Sequence, residues 1–322
     1  MIEGLVSTVI PVHNRSRLLI EAVQSVLDQS YRPIEIIVVD DGSTDSTGDV
    51  VDQLSARHRK TIVAIHIANR GPGLAREVGR QAANGEFVQY LDSDDVLLPE
   101  KFERQALGLL AHPDCGVSYG WTQYRHADGT VETSPWKGSG ERVETMLPSF
   151  LRSRWWDTPT PLYRSTLLDQ AGPWSDLRLE EDWEYDTRVG SLGVRLHYCE
   201  VFVAQVRDHD DQRLSRGKLS DAKRQQERAR AHTMIYANAV RAGVTSEVPE
   251  MAHFARELFL LSRQCGAAGL ASESKALFDL SRKASGLERA GKLDFVVYNA
   301  AGLLLGWKTA GRLACFADRL RP

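Results

Sequence analysis

The chain has 322 residues, of which 42% are hydrophobic and 26% are charged, a composition that excludes a disordered, fibrous or integral-membrane protein. Its 40 basic and 43 acidic side chains give a formal net charge of -3, so the overall charge does not indicate a nucleic-acid partner. The four cysteines lie far apart, without the spacing of a zinc site or a disulfide framework. We find no signal-peptide pattern and no apolar run of about 20 residues, and we therefore expect a cytoplasmic protein.

In the first hundred residues, β-branched apolar runs alternate with helical patterns. The predicted strands lie at residues 5–10, 34–39, 62–67 and 87–91. The predicted helices between them lie at residues 17–27, 45–57 and 73–83. The strands are almost continuously hydrophobic, which is typical of a parallel sheet covered on both faces. The sequence therefore predicts an α/β fold with a doubly wound, mostly parallel sheet.

After the first hundred residues the predicted secondary structure changes twice, first to strands with turns and then to helices. A helix predicted at residues 100–111, with Pro99 at its start, is followed by segments with strand and turn signals. Strands are predicted at residues 116–125, 131–133 and 196–206, the first two joined by a turn at Asp128-Gly129. Ala-rich helices are then predicted at residues 221–242, 248–265, 272–284 and 293–319. We predict a domain at residues 1–216, with halves at about 1–95 and 96–216, and a helical C-terminal region at 217–322.

Two acidic clusters follow predicted strands. Asp40 and Asp41 end the second strand, where ligands bind in open α/β sheets, and such a pair can accept hydrogen bonds from a base and a ribose. The alternative for this cluster is a helix cap with a turn. Asp92 and Asp94 end the fourth strand, and their spacing places both carboxylates on one side of an extended segment, which suits Mg²⁺ or Mn²⁺ on a diphosphate. The alternative for this cluster is a solvated acidic turn.

A glycine-containing loop lies between the two clusters. Gly71 and Gly73 allow close approach of the backbone to a ligand, and Arg76 in the first helical turn can reach a phosphate. The first strand is followed by Pro-Val-His-Asn-Arg at residues 11–15, not by the glycine fingerprint of dinucleotide-binding folds, which excludes an NAD site of that kind.

In their order along the chain, these segments resemble those of family 2 glycosyltransferases, which are inverting enzymes with the GT-A nucleotide-sugar fold. The resemblance rests on residues 11–15, 38–45, 71–76, 91–95 and 181–183, and it extends over about residues 5–215. It implies that residues 1–95 form the nucleotide half of the domain and that residues 96–216 form the acceptor half.

The resemblance also implies roles for individual residues. The residues implied to bind the nucleotide sugar are Pro11, His13, Arg15, Asp41, Gly71, Arg76, Asp92 and Ser93. Asp94 would bind the divalent cation, Mn²⁺ or Mg²⁺, and His209 would join the cation or the diphosphate, with an ordinary loop histidine as the alternative. Asp182 would be the catalytic base. One base for the acceptor hydroxyl and one cation for the leaving diphosphate suffice for inverting transfer, and the neighbouring Glu181 is the alternative base.

The remaining predictions concern the acceptor and the C-terminal region. Trp156 and Trp183 are candidates for stacking on an acceptor sugar, with a place in the core as the alternative. The Gln-x-x-Arg-Trp motif of processive synthases is absent from the matching region, so we expect non-processive transfer. The apolar segment 295–307 and the basic residues after it fit helix packing, a homodimer contact or peripheral contact with the inner membrane surface.

The sequence as a whole predicts a metal-dependent inverting glycosyltransferase. The donor would be a nucleoside-diphosphate sugar, with a UDP-sugar favoured, and the acceptor a glycan, a lipid-linked or a small-molecule hydroxyl in surface glycan or polysaccharide biosynthesis. The alternatives are a nucleotidyltransferase that makes nucleotide-sugars and a non-catalytic nucleotide-sugar-binding module.

Overall fold

A computed structural model of the chain describes residues 1–208 and 221–319. Within these residues the chain forms two compact units. The sheet unit comprises residues 1–146, 154–176 and 192–208, and the helical unit comprises residues 147–153, 177–191 and 221–319. The predicted domain boundary at residue 216 lies outside the described residues and stays a prediction.

The sheet unit is built on a mixed sheet. Its strands are β1 (Ile2–Val12), β2 (Ile34–Asp41), β3 (Ile62–Ile67), β4 (Gly85–Tyr90), β5 (Val96–Leu97), β6 (Cys115–Arg125), β7 (Leu162–Arg164) and β8 (Arg195–Arg207). Within the described residues the strand order is β3-β2-β1-β4-β7-β6-β8-β5. The four strands β1 to β4 are mutually parallel, β6 is parallel to β8, and β5 and β7 pair antiparallel with their neighbours.

Helices cover both faces of this sheet. They are α1 (Ser16–Leu27), α2 (Thr47–Arg57), α3 (Pro72–Ala82), α4 (Lys101–Ala111) and α5 (Ser165–Ala171). Val6 and Ile10 of β1 belong to a core that also contains buried residues of α1, α2 and α4. Val9, on the opposite face of β1, contacts α3 so closely that a Cβ atom at Gly79 would lie 2.3 Å from its Cγ1 atom. Because successive strand residues face opposite sides, β1 is covered on both, and the predicted doubly wound, mostly parallel sheet is confirmed.

The helical unit contains the remaining helices of the described chain. They are α6 (Glu181–Gly190), α7 (Ala222–Arg241), α8 (Pro249–Ala267), α9 (Ala271–Ala290), α10 (Leu293–Leu305) and α11 (Trp307–Arg319). An aromatic cluster of Phe259, Phe278, Phe295 and Tyr298 joins α8, α9 and α10. No helix in residues 1–208 or 221–319 combines the length and the apolar character needed to cross a bilayer.

Three local predictions differ from the structure. The single helix predicted at residues 293–319 is two helices, because Gly306 has a φ of 81° and interrupts the helical backbone. The helix predicted from Pro99 begins at Lys101. The strand predicted at residues 131–133 is reduced to one isolated bridge between Val131 and Arg125 after the turn at Gly129.

Candidate active site

The carboxyl ends of β1, β2, β3 and β4 meet at one edge of the sheet. The register pairs Val12 with Asp40, Asp40 with His66, and Val9 with Tyr90, so the segments that follow these strands leave the sheet side by side. This is the edge at which open α/β sheets bind ligands. Within the first hundred residues, those that are predicted to bind the nucleotide sugar and the cation lie at the ends of these four strands or in the segments after them. They therefore share one edge of the sheet unit.

The segment after β1 is held against the segment after β2. Pro11 is buried within β1, and the Nδ1 atom of His13 lies 3.0 Å from the carbonyl oxygen of Asp41. Asn14 has a φ of 52°, a conformation that asparagine tolerates, and its side-chain oxygen accepts a hydrogen bond of 2.8 Å from the backbone N–H of Thr44. The hydroxyl of Ser43 accepts the backbone N–H of Asn14 at 3.0 Å. These hydrogen bonds link the two segments into one wall of the site.

Asp41 organises the loop before α3. Its Oδ1 atom accepts the backbone N–H of Arg70 at 2.7 Å, and its Oδ2 atom accepts the backbone N–H of Gly71 at 2.8 Å. Gly71 has a φ of 93°, which a residue with a side chain adopts only under strain. The carboxylate of Asp41 therefore fixes the loop through backbone groups, and each oxygen has a further lone pair for a ligand. Its role toward the nucleotide base stays a prediction.

Arginines accompany the acidic residues after β4. The guanidinium of Arg76, which is 3% exposed, donates to Asp92 at 2.6 Å and lies over the ring of Trp174 at 4.9 Å. Arg15 donates to Asp94 at 2.7 Å. These contacts place two cationic groups beside the two carboxylates predicted to serve a diphosphate and its cation.

Negative charge is concentrated in this segment. Burial of Asp95, together with the charges of Asp94 and Asp92, raises the pKa of the Asp95 carboxyl well above its usual range. Arg207, at the end of β8, donates its backbone N–H to Asp95 at 3.1 Å and its Nε–H to the carbonyl oxygen of Asp94 at 2.6 Å. Ser93 is buried between the two predicted ligand residues. The end of β8 therefore fixes the conformation of the acidic segment through the backbone of Asp94 and the side chain of Asp95.

The donor set suits a hard divalent cation. Asp92 and Asp94 supply carboxylate oxygens, which are the ligands that hard divalent cations prefer. Among the residues that the structure describes, no group of three or more histidine, cysteine, aspartate or glutamate side chains is arranged as a metal site. Mg²⁺ and related ions in phosphate sites use one or two carboxylates and take their other ligands from water and the substrate. Asp92 and Asp94 fit that requirement, and His209 lies outside the described residues.

The predicted base lies in the helical unit, at the start of α6. Glu181 is 7% exposed, whereas Asp182 is half-buried, with its Oδ1 atom accepting the backbone N–H of Trp183 at 2.7 Å. Glu180, just before the helix, has a φ of 58°, and its carboxylate lies 2.9 Å from Arg228 and 3.0 Å from the Nδ1 atom of His232. Both partners belong to α7, so an ion-paired residue fixes the point at which α6 begins.

The two tryptophans predicted to stack on an acceptor differ. Trp156 is fully buried and packs against Tyr119 with a ring separation of 5.0 Å, so it offers no exposed face to a sugar, and the acceptor role predicted for it is wrong. Trp183 is half-buried, donates its indole N–H to the carbonyl oxygen of Phe150 at 2.7 Å and keeps part of its surface exposed. The acceptor role of Trp183 stays a prediction.

Sequence reasoning missed three residues that position the predicted groups. They are Glu180, Arg207 and Trp174, and each acts through contacts with residues distant in the sequence. Arg207 had one available signal, because it ends a predicted strand beside an acidic segment. The left-handed backbone at Glu180 and the stacking of Trp174 on Arg76 depend on the tertiary fold and leave no local pattern.

Comparison with known proteins identifies the family. The family model for glycosyl transferase family 2 matches residues 7–167. An uncharacterized glycosyltransferase of Nostoc sp. is 32% identical over 206 residues, which are 63% of this chain and 61% of that protein. TuaG of Bacillus subtilis, a glycosyltransferase provisionally assigned to teichuronic acid biosynthesis, is 36% identical over 126 residues, 39% of this chain and 50% of that protein. The matches thus cover less than two thirds of the length of these relatives.

Solved structures show the same fold. Staphylococcus aureus TarS in complex with UDP-GlcNAc superposes with a TM-score of 0.62 at 19% identity, over 89% of this chain and 92% of that chain. The mannosyltransferase PcManGT of Pyrobaculum calidifontis, in complex with GDP-Man and Mn²⁺, superposes with a TM-score of 0.52 at 20% identity, over 98% and 86% of the two chains. The sheet, its edge of acidic loops and the family match agree with one another, and the chain is a family 2 glycosyltransferase with the GT-A fold.

Proposed function

We propose that this chain is a metal-dependent inverting enzyme that transfers a sugar from a nucleoside-diphosphate sugar to an acceptor hydroxyl. The observation that carries the proposal is the position of Asp92 and Asp94 at the carboxyl edge of the sheet, each within 2.7 Å of an arginine. Alternating carboxylates and guanidinium groups suit a ligand that combines a cation with a diphosphate.

The donor half of the proposal rests on the residues at this edge. Arg15 and Arg76 would bind the diphosphate, and Asp92 would accept hydrogen bonds from the ribose. Asp41 and the segment 11–15 would contact the base, and Gly71 and Ser93 would also bind the nucleotide sugar. The complexes of TarS with UDP-GlcNAc and of PcManGT with GDP-Man support a nucleoside-diphosphate sugar as the donor, and we favour a UDP-sugar.

Asp94 would hold the divalent cation, Mn²⁺ or Mg²⁺, next to Asp92, which would contact the ribose. When bound, the cation supplies neutralisation of the charge that develops on the leaving diphosphate. The complex of PcManGT with Mn²⁺ supports this assignment. The protein itself holds the acidic segment in place. Arg207 does this through hydrogen bonds to the backbone carbonyl of Asp94 and to the side chain of Asp95.

Asp182 would be the catalytic base. Its carboxylate takes the proton from the acceptor hydroxyl as the hydroxyl oxygen forms a bond to the anomeric carbon. The bond from that carbon to the diphosphate breaks, and the nucleoside diphosphate leaves with the bonding electron pair. Asp182 is half-buried and accessible, whereas Glu181 is 7% exposed, and this difference favours Asp182 over Glu181.

The proposal also includes the acceptor and the biological role of the transfer. Trp183 would stack on the acceptor, which would be a glycan, a lipid-linked or a small-molecule hydroxyl. The provisional assignment of TuaG to teichuronic acid biosynthesis supports a role in surface polysaccharide synthesis. We propose non-processive transfer in the cytoplasm, with the C-terminal helices as the contact to a membrane surface or to a second copy.

Product analysis tests the proposal. The purified chain is incubated with a panel of UDP- and GDP-sugars and Mn²⁺, and the nucleotide products are separated by chromatography. We expect release of a nucleoside diphosphate from one donor, loss of that release with a chelator, and turnover lower by about a hundredfold or more in Asp182→Asn. Asp279→Asn, which alters a surface carboxylate of the same unit, is the matched control and should keep full activity.

Each alternative has its own outcome in this assay. Formation of pyrophosphate from a nucleoside triphosphate and a sugar phosphate would identify a nucleotidyltransferase. Tight donor binding without even slow donor hydrolysis would identify a binding module. Near-normal turnover in Asp182→Asn would remove Asp182 from the mechanism and direct the same experiment to Glu181.

A further inference from the structure

Helix α10 is apolar on two opposite sides. Phe295, Tyr298 and Gly302 form its buried side, toward the aromatic cluster of the helical unit. The other side faces solvent with large aliphatic residues at positions 293, 296, 297, 303 and 304. The last four lie three, four, ten and eleven residues after the first, a spacing that keeps all five on one helical face. Leu304 is 82% exposed and Leu293 is 77% exposed. This helix therefore has an apolar face that the rest of the described chain leaves in water.

Further exposed apolar residues lie at the end of α10 and on α11. Leu313 and Phe316 are more than half exposed on this helix, and Leu305 is equally exposed just before Gly306. We define the apolar face as the following eight residues: Leu293, Val296, Val297, Leu303, Leu304, Leu305, Leu313 and Phe316. A surface of this kind marks an interaction site when it is larger than the scattered apolar residues of ordinary protein surfaces.

The charges around the apolar face have one predominant sign. Lys308 and Arg312 lie on the first two turns of α11, are exposed, and are followed by Phe316 at the same four-residue spacing. Lys292 and Asp294 have opposite charges at the start of α10, and no aspartate or glutamate occurs between residues 295 and 317. Basic side chains at the border of an aliphatic surface complement the anionic headgroups of a lipid bilayer.

The length of α10 excludes a membrane-spanning helix, and the composition of the apolar face favours lipid over a second copy of the chain. A helix of 13 residues is about 20 Å long, shorter than the roughly 30 Å hydrocarbon core of a bilayer, so α10 can lie in the interface but cannot cross it. The apolar face consists of leucine and valine with Phe316 as its one aromatic residue. The strongest contacts of protein interfaces are usually made by tryptophan, tyrosine and arginine, and leucine and valine are under-represented among them.

We propose that the apolar face of α10 and α11 binds the surface of an anionic lipid bilayer. The aliphatic residues enter the boundary between headgroups and acyl chains, and Lys308 and Arg312 contact the anionic headgroups. This proposal rests on the helical unit alone and is independent of the proposed sugar transfer.

Vesicle co-flotation of the full chain tests the proposal. The probes are vesicles of phosphatidylcholine, with and without phosphatidylglycerol, at low and high salt. We expect binding to the anionic vesicles, which salt weakens, and weaker binding to the neutral ones. The double variant Leu303→Ser/Leu304→Ser should bind anionic vesicles about a hundredfold more weakly, since two large side chains no longer enter the apolar boundary. Neutralising the charges in Lys308→Gln/Arg312→Gln should weaken binding by about thirtyfold on anionic vesicles alone.

The chain offers a matched control for the double serine variant. Leu107 and Leu110 of α4 are exposed leucines of the sheet unit, and Leu107→Ser/Leu110→Ser should bind vesicles like the original chain. All altered positions are exposed, so thermal unfolding should be unchanged, and the salt dependence of the unaltered chain provides a readout that needs no variant. Light scattering after size exclusion should give the same mass with and without the serine substitutions.

Several results would overturn the proposal. Absence of binding to anionic vesicles, or equal binding to neutral ones, would contradict it directly. A dimer that Leu303→Ser/Leu304→Ser converts into monomers would show that a second copy covers the apolar face. Equal loss of vesicle binding in the control variant would show that α10 has no special part in it.

Discussion

The pair formed by Arg76 and Asp92 gives a quantitative test of how the site is held together. Arg76 is 3% exposed, donates to Asp92 at 2.6 Å and stacks on Trp174 at 4.9 Å. Replacing Arg76 by methionine keeps most of the aliphatic stem and removes the ion pair and the cation–π contact. Removing one partner of a fully buried pair costs about 3–5 kcal/mol. The side chain of Asp92 is 31% exposed and keeps part of its hydration, which reduces the expected loss to about 2–3 kcal/mol.

The assay is chemical denaturation followed by circular dichroism, with Arg76→Met, Asp92→Asn and the double variant compared in one cycle. We expect a coupling free energy of about 1–2 kcal/mol between the two positions, because they are in direct contact. Arg104→Met is the matched control. Arg104 forms a surface pair with Glu100, and both side chains are more than half exposed, so its loss should leave the free energy of unfolding close to that of the original chain. Equal costs for Arg76→Met and Arg104→Met would refute the reasoning.

Three further changes test other parts of the structure. Gly79→Ala should lower the free energy of unfolding by about 1–3 kcal/mol although alanine favours helices, because its Cβ atom would lie 2.3 Å from Val9; a denaturation midpoint at or above the original would contradict this packing. Hydrogen bonds to Asp52 and Asp40 raise the pKa of His66 above its usual value of 6.5, so the charged histidine stabilises the fold at low pH, and this stabilisation is lost as the pH rises through the raised pKa. The melting temperature of the original chain should therefore exceed that of His66→Gln by more at pH 5.5 than at pH 8.5, and a constant difference would contradict the assignment. Arg228→Met, which removes a partner of Glu180 at the start of α6, should lower kcat by up to about a hundredfold with little change in donor affinity, and an unchanged kcat would remove Arg228 as a positioning residue.

The parallel strands β1 to β4 could be predicted because each contains a largely apolar run that can be recognised from neighbouring residues alone. The apolar run at residues 34–39 coincides with β2 within two residues, since a strand buried on both faces must be continuously hydrophobic. The run at residues 62–67 coincides with β3, a partly buried strand at the edge of the sheet whose β-branched residues favour strand structure. The break at Gly306 was missed because helical patterns continue on both sides of it and a single glycine inside such a pattern is tolerated. Whether such a glycine interrupts a helix depends on what the two halves pack against.

The candidate site could be predicted in its residues but not in its contacts. Spacing along the chain predicts that Asp41 and Asp92 follow strands at one edge of a sheet, which the structure has. It does not predict that the carboxylate of Asp41 holds the backbone of Gly71, or that Arg76 lies over Trp174, because these contacts join segments far apart in the sequence. Trp156 was assigned wrongly for the same reason, since a tryptophan in a polar segment carries no local signal of burial.

The most direct measurement is calorimetric titration of UDP and GDP into the chain with and without Mn²⁺, repeated with Asp94→Asn. We expect one nucleoside diphosphate to bind at least about tenfold more tightly with Mn²⁺ than without it, and we expect Asp94→Asn to abolish this gain. Asp169→Asn, an exposed carboxylate of the sheet unit, should retain the gain. Equal affinity with and without Mn²⁺, or a full gain in Asp94→Asn, would contradict the claim that the acidic segment after β4 binds a diphosphate through a divalent cation.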